Sequence, residues 1–317
     1  MLGVWLQSLT QDYLDLGLRA GAGLEVRILE RPGLWMDDDA LEGVRQDLSA
    51  VAAANLPGQV LNYGVFAGGR RALGSSIVTI VYRRGENPRP VAFNALAMMD
   101  VDLNGRPERV IHLGLVMVDP AERSQGLSWV LYGLTSLLLL ARNQLRPFWI
   151  SNVTQVPAVI GLVAEGYSRS FPNPAGTDGR SFTHLLLARQ ILQRHRAVFG
   201  VGEEAEFDEE RFVIANAYTG GSDALKKSFE QAAKHRDTRF NDYCRTVLDY
   251  ERGDDILQLG VMDIGAARRY LTESVPRESL RGLLLSAAFA GLQGLILPLV
   301  YWLAPHRQWG ELRPCRK

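Results

Sequence analysis

The order of elements predicts an α/β (α+β) fold, a mixed sheet flanked by helices, followed by a C-terminal helical region. Three stretches carry that prediction. Ile77–Tyr82 is dense in β-branched residues and reads as a strand. Val91–Val101 and Val110–Val118 read as two more, and the Asn104-Gly105 pair between them favours a tight hairpin turn. The last of these strands runs through Asp119-Pro120 into Arg123-Ser124-Gln125-Gly126-Leu127-Ser128, and an apolar helix follows from Leu127 to about Ala141.

Leu24–Glu30 alternates as a first strand. Asp37, Asp38 and Asp39 put acidic charge where a helix start favours it, ahead of the Leu41–Leu48 helix. Phe148–Ser151 reads as a strand and Gln155–Tyr167 as a helix, with Pro157 in its first turn and Gly166 at its C-cap. Thr183–Leu187 is apolar enough to close the sheet as a strand. Beyond it, the acidic stretch Gly200–Glu210 marks a boundary, and Gly220-Gly221-Ser222 offers a turn and an N-cap to a helix over Asp223–Lys234. Phe240, Tyr243, Cys244, Val247 and Leu248 recur at helical spacing. These readings divide the chain into an N-terminal helical segment (1–23), a main domain (24–195), a helical module (196–282), a hydrophobic segment (283–304) and a basic tail (305–317).

Composition narrows the function classes. The 35 basic and 35 acidic residues cancel, so no basic excess supports nucleic-acid binding. Cys244 and Cys315 are the only cysteines, too few for a disulfide framework, which points to a reducing compartment. The first residues lack the basic start of a signal peptide. Gly282–Pro305 carries no charge, and the stretch Leu283–Ala304, with Tyr301 and Trp302 near one end, has the length and apolarity of a membrane anchor. An interfacial segment, or a helix packed over the apolar Leu127–Ala141 surface, explains the same residues. Basic residues flank both sides, so charge does not set an orientation.

The chemistry of the Arg123–Ser128 segment is anion binding. The first amides of a helix have no internal partner and sit at the positive end of its dipole. A glycine there lets the backbone approach a pyrophosphate closely. The spacing Arg123-x-x-Gly126-x-Ser128 after a Val-x-Pro step, and the later Gln155–Tyr167 block, together resemble the GNAT acyltransferase superfamily over residues 24–189.

That resemblance implies an N-acyltransferase that passes an acyl group from acyl-CoA, as co-substrate, to an amine acceptor. Leu115, Val116, Met117 and Val118 would hold the pantetheine arm. Arg123, Ser124, Gln125, Gly126, Leu127 and Ser128 would hold the pyrophosphate, with Gln155 contributing from the later block. Counting six residues back from Val118, where one branch of the family keeps a carboxylate base, lands on His112. A histidine with an ordinary pKa of ~6.5 serves as a base at neutral pH. Strand alternation would put His112, Gly114, Val116 and Val118 on one face. The chain departs from the family at Leu162, where a tyrosine would reprotonate the thiolate, and at Gln155, which replaces an asparagine. A non-catalytic acyl-CoA-binding or membrane-associated scaffold protein is therefore the alternative. Acyl-CoA is a cytosolic metabolite, so a membrane-bound form would face the cytoplasm, with lipid as a further partner.

Other constellations read as structural. Asp249, Glu251, Asp254 and Asp255 lack the ordered spacing of a calcium loop and read as solvated helix-end charges, with no metal expected. Cys244 and His184 read as core residues.

Overall fold

The computed structural model describes residues 13–20, 23–123, 126, 127, 129–177, 179–303 and 306. Its strands are β1 (Asp15–Arg19), β2 (Leu24–Glu30), β3 (Ser76–Arg83), β4 (Arg89–Leu103), β5 (Arg106–Val118), β6 (Phe148–Thr154), β7 (Ser168–Phe171), β8 (Glu206–Asp208), β9 (Val213–Ala215) and β10 (Asp255–Met262). Its helices are α1 (Asp38–Asn55), α2 (Arg70–Gly74), α3 (Thr135–Arg142), α4 (Pro157–Gly166), α5 (Phe182–His195), α6 (Thr238–Val247), α7 (Ile264–Arg269) and α8 (Arg277–Leu303).

All ten strands join one sheet in the order β1-β2-β3-β4-β5-β6-β10-β9-β8, with β7 pairing on β10 beside that path. The β4–β5 hairpin turns where expected, with Asn104 and Gly105 both left-handed (φ 57° and 76°). One face of the sheet is covered by α1 and α5, whose buried Leu41, Val44, Leu48 and Val51, then Leu187, Ala188 and Ile191, recur at helical spacing. The other face is covered by α3 and α8 through a cluster that includes Leu134, Leu138 and Leu283. The Asp37 carboxylate caps α1 by accepting from the Ala40 N–H (2.7 Å).

Several expectations are corrected. The described part of the N-terminal segment is a strand, β1, whose Asp15-Leu-Gly-Leu-Arg19 alternation pairs with β2. Thr183–Leu187 lies in α5, because the Ser181 hydroxyl accepts from the His184 N–H (3.3 Å) and the His184 ring returns a bond to the Ser181 N–H (3.1 Å). That reciprocal cap starts a helix where apolarity alone suggested a strand. Region 196–282 is not a separate helical module: β8, β9 and β10 extend the main sheet. Asp223–Lys234 forms no helix beyond a short turn at Asp223–Leu225. The Ser222 hydroxyl, expected as its cap, donates instead to the Gly200 carbonyl (2.7 Å).

The anchor expectation is also corrected. Among the described residues no helix is long and apolar enough to cross a membrane. Leu283 and Phe289 of α8 are buried, with Leu280 and Ala287 packed against the same core as α3. Of the readings the sequence allowed, the helix laid over Leu127–Ala141 is the one observed. Its outer face exposes Leu285, Leu295, Leu299 and Trp302.

Candidate functional site

The site begins where two parallel strands part. β5 and β6 pair only over Val110–His112 against Trp149–Ser151. Past His112, β5 carries an extra residue relative to β4: Ala97 pairs with His112, but Ala95 pairs with Leu115. Gly114 sits in that bulge at φ 62°, and a Cβ there would lie 1.7 Å from the Ala95 carbonyl oxygen. Only glycine fits. The bulge also flips the strand's parity. His112 therefore shares a face with Leu115 and Met117, not with Gly114, Val116 and Val118 as simple alternation implied.

The opening holds a cavity of about 1050 Å³. Its walls include His112 and Leu115–Val118 from β5, Asn152–Gln155 from the end of β6, and Arg123, Gly126 and Leu127 from the loop. Nine sequence-predicted site residues thus meet in one place: His112, Leu115, Val116, Met117, Val118, Arg123, Gly126, Leu127 and Gln155. Ser124, Gln125 and Ser128 lie outside the described residues.

The helix after the loop is widened at its start. Val130–Leu134 forms a π turn ahead of α3, and such turns leave carbonyls without their usual partners. Three side chains supply donors. Asn94 Nδ2 donates to the Leu131 carbonyl, the Tyr167 hydroxyl to Tyr132 (2.6 Å), and the Tyr270 hydroxyl to Trp129 (2.8 Å). The Tyr270 ring packs on Gly133, where a Cβ would approach it to 2.1 Å. Asn94 of β4, Tyr167 at the C-cap of α4 and Tyr270 just past α7 thereby hold the helix start against the cavity.

Polar groups in the wall are left open. Asn152 Nδ2 and Gln155 Oε1 are buried with no hydrogen-bond partner, while Gln155 Nε2 donates to the Leu225 carbonyl (3.3 Å). Native interiors rarely leave such atoms unpaired without a ligand or solvent to meet them. Two cations flank the loop. Arg123 is oriented by Asn55, its guanidinium donating to Oδ1 (2.7 Å). Lys227 is held below its ordinary value, first by desolvation and then by the charge of Arg123. A cation pair that raises its own cost in this way suits a polyanion.

His112 differs from expectation. Its ring is buried against Phe199 (centroids 5.2 Å apart), with Nδ1 3.0 Å from Ser151 Oγ. Desolvation lowers its pKa to about 4, so the ring is neutral at physiological pH and a weak base. Between pH ~6.5 and ~4 the unfolded chain takes up a proton that the folded chain refuses, so stability falls as pH falls through that window. The shift from 6.5 to about 4 corresponds to a loss of ~3 kcal/mol. Denaturant melts at pH 7.5 and pH 4.5 should show the loss in the wild type and a smaller one in His112→Gln.

The sequence reading missed Tyr63, Tyr218, Lys227 and Asp255, all of which line the cavity. Of these, only Asp255 carries a sequence signal, the carboxylate run at 249–255, which in isolation reads as solvated. Asp254 and Asp255 are in fact buried. Among the described residues no group of three or more His, Cys, Asp or Glu could hold a metal ion.

No protein-family model matches the chain, and a search of curated proteins finds no match. Among solved structures, a mutant of the AtaT toxin bound to the C-terminus of the antitoxin AtaR and acetyl-CoA is similar to part of it. The identity is 12%, the TM-score 0.23, and the match covers 41% of this chain and 75% of that one. A likeness at that level assigns no family.

Proposed function

We propose that this chain is a GNAT-like N-acyltransferase, which moves an acyl group from acyl-CoA to an amine. One observation carries the reading: parallel strands that separate after His112, beside a helix start marked by Arg123 and Gly126, around one cavity. Separated strands offer unpaired backbone groups along Leu115–Val118, and an extended pantetheine arm, with its two amides, can pair with them as an added strand does. Gly126 is left-handed (φ 67°), and among the described residues nothing lies within 4 Å of where a Cβ would sit, which leaves room there for a pyrophosphate. Arg123 and Lys227 supply its countercharge. Asn152 Nδ2 and Gln155 Oε1, which have no partner in the protein among the described residues, supply further polar contacts.

His112 enters this mechanism as a neutral hydrogen-bonding group. In the tautomer in which the Ser151 hydroxyl donates to Nδ1, Nε2 carries the proton, and an N–H in the cavity wall can stabilise the oxyanion that forms when the amine attacks the thioester. His112→Ala should lower turnover about 10²-fold, the scale of losing one oxyanion donor, with CoA affinity unchanged. No limb near pH 6.5 in the wild-type pH–rate profile should trace to His112, and turnover in His112→Ala equal to wild type would remove the residue from the mechanism.

Two measurements test the function itself. Calorimetry with CoA reads binding, and free thiol released from acetyl-CoA or octanoyl-CoA in the presence of primary amines reads transfer. Binding without thiol release would favour the scaffold alternative. Absence of both would overturn the proposal.

A further inference from the structure

Asp254 and Asp255 are adjacent, both buried, and differently provided for. Asp254 accepts two bonds from the Arg252 guanidinium (2.7 Å each) and further bonds from the N–H groups of Asn216 (3.2 Å) and Asp249 (3.0 Å). Its charge is neutralised locally, and it holds the turn that leads into β10. Asp255 opens β10 beside the end of β6, where Ile256 pairs with Thr154, and it lines the cavity. Among the described residues a single hydrogen bond reaches its carboxyl, from the Tyr218 hydroxyl to Oδ1 (2.9 Å). Among the described residues Oδ2 accepts nothing, and no cation pairs with the group.

The groups facing Asp255 are Tyr218, Tyr63 and Tyr250, with Asp254 next to it in the chain. None supplies positive charge. A carboxyl buried without a countercharge is costly in its ionised form and ordinarily gains a partner. Here the free oxygen belongs to a residue of the cavity wall. A ligand that carries a cation into the cavity would supply the partner that favours the ionised form.

We infer that Asp255 is a catalytic residue of this cavity: it binds a cationic primary amine as the acceptor and removes the proton that keeps that amine from attacking. The inference rests on the acyltransferase reading and names the acceptor class and the base. The step balances. The ammonium gives one proton to the Asp255 carboxylate, leaving a free amine. The amine lone pair forms a C–N bond to the thioester carbonyl, and the carbonyl electrons move to oxygen. Collapse of that adduct breaks the C–S bond, and the thiolate takes the second proton from nitrogen. The products are an amide and CoA thiol, and Asp255 returns its proton to solvent.

The environment suits that task. Burial pushes the Asp255 carboxyl up to about 8, Asp254 adds to the rise, and the Tyr218 hydroxyl opposes it. A base of that strength exchanges protons with an amine far more evenly than an exposed carboxylate does, or than His112 at about 4. Activity should therefore rise with pH as Asp255 ionises.

The test uses the full chain, acetyl-CoA and octanoyl-CoA as donors, and n-butylamine, spermidine and a lysine peptide as acceptors. In Asp255→Asn, thiol release should fall by ~10² to 10⁴-fold, while CoA affinity stays within about twofold because its phosphate contacts lie elsewhere. The substitution keeps shape and removes the cost of ionising a buried carboxyl, so the melting transition should not fall. Tyr218→Phe removes the bond that favours the charged form, so its acidic limb should move to higher pH. Amine-dependent turnover in Asp255→Asn within threefold of wild type, or an unmoved limb in Tyr218→Phe, would overturn the inference and leave the acyltransferase reading standing. A wild-type chain that releases no thiol with any of the three amines would overturn both.

Discussion

Truncation after Pro276 should destabilise the chain rather than release it from an anchor. α8 lies over α3 and buries Leu283 and Phe289, with Leu280 and Ala287 packed beside them. Burying each of the two large side chains is worth ~1.5–3 kcal/mol. Removal also uncovers Leu137 and Leu138 of α3, which are buried now. A loss of several kcal/mol shifts a melting transition by on the order of 10 °C in a domain of this size. The truncated chain should melt that much lower or aggregate on expression. An unchanged melting temperature would mean that α8 is an appendage, and its exposed Leu285, Leu295, Leu299 and Trp302 would then be its working surface. Flotation of the full chain with liposomes reads that outcome directly.

Gly126→Glu should abolish CoA binding and leave the fold intact. Gly126 has a left-handed backbone (φ 67°), and among the described residues nothing lies within 4 Å of a Cβ there, so a side chain meets strain but no clash with them. The backbone cost of a non-glycine residue there is ~1–2 kcal/mol. The carboxylate would enter the space assigned to the pyrophosphate and draw Arg123 and Lys227 onto itself. Losing two charge-assisted contacts, each worth ~1.5–3 kcal/mol, and adding repulsion should weaken CoA by at least about 10²-fold. Calorimetry measures the loss, and an unchanged far-ultraviolet circular-dichroism spectrum excludes unfolding. Wild-type affinity in this variant would remove the loop from the site.

How much of the site could be read from the chain depends on how local its cause is. The strand ending at Val118, the Asp119-Pro120 step and the helix start after Gly126 are consecutive, so periodicity and the backbone preferences of proline and glycine located them. The Asn104-Gly105 hairpin was legible for the same reason. α5 was not, although its Ser181–His184 cap is local, because histidine is an unusual partner in that box and the apolar run beside it resembled a strand.

Simple alternation failed at Gly114. The sequence marks that position only with a glycine, and the decision to insert a bulge there lies in the close approach of the Ala95 carbonyl from a neighbouring strand. One extra residue then exchanged the two faces of β5 beyond His112.

The C-terminal third shows the limit most clearly. Leu257, Leu259, Val261 and Met262 form an apolar run, and such a run has the same appearance in a buried helix and in a strand covered on both faces. Pairing with β6 decided between them, across about a hundred residues of chain. Neighbouring residues set the strand–loop–helix that holds Arg123 and Gly126, so that segment was legible in the chain. Tertiary structure alone decided that Asp255, Tyr218 and Lys227 share its cavity, that His112 is buried and neutral, and that α8 covers α3. Burial, desolvation and charge proximity are properties of assembled surfaces, and no short stretch of sequence encodes them.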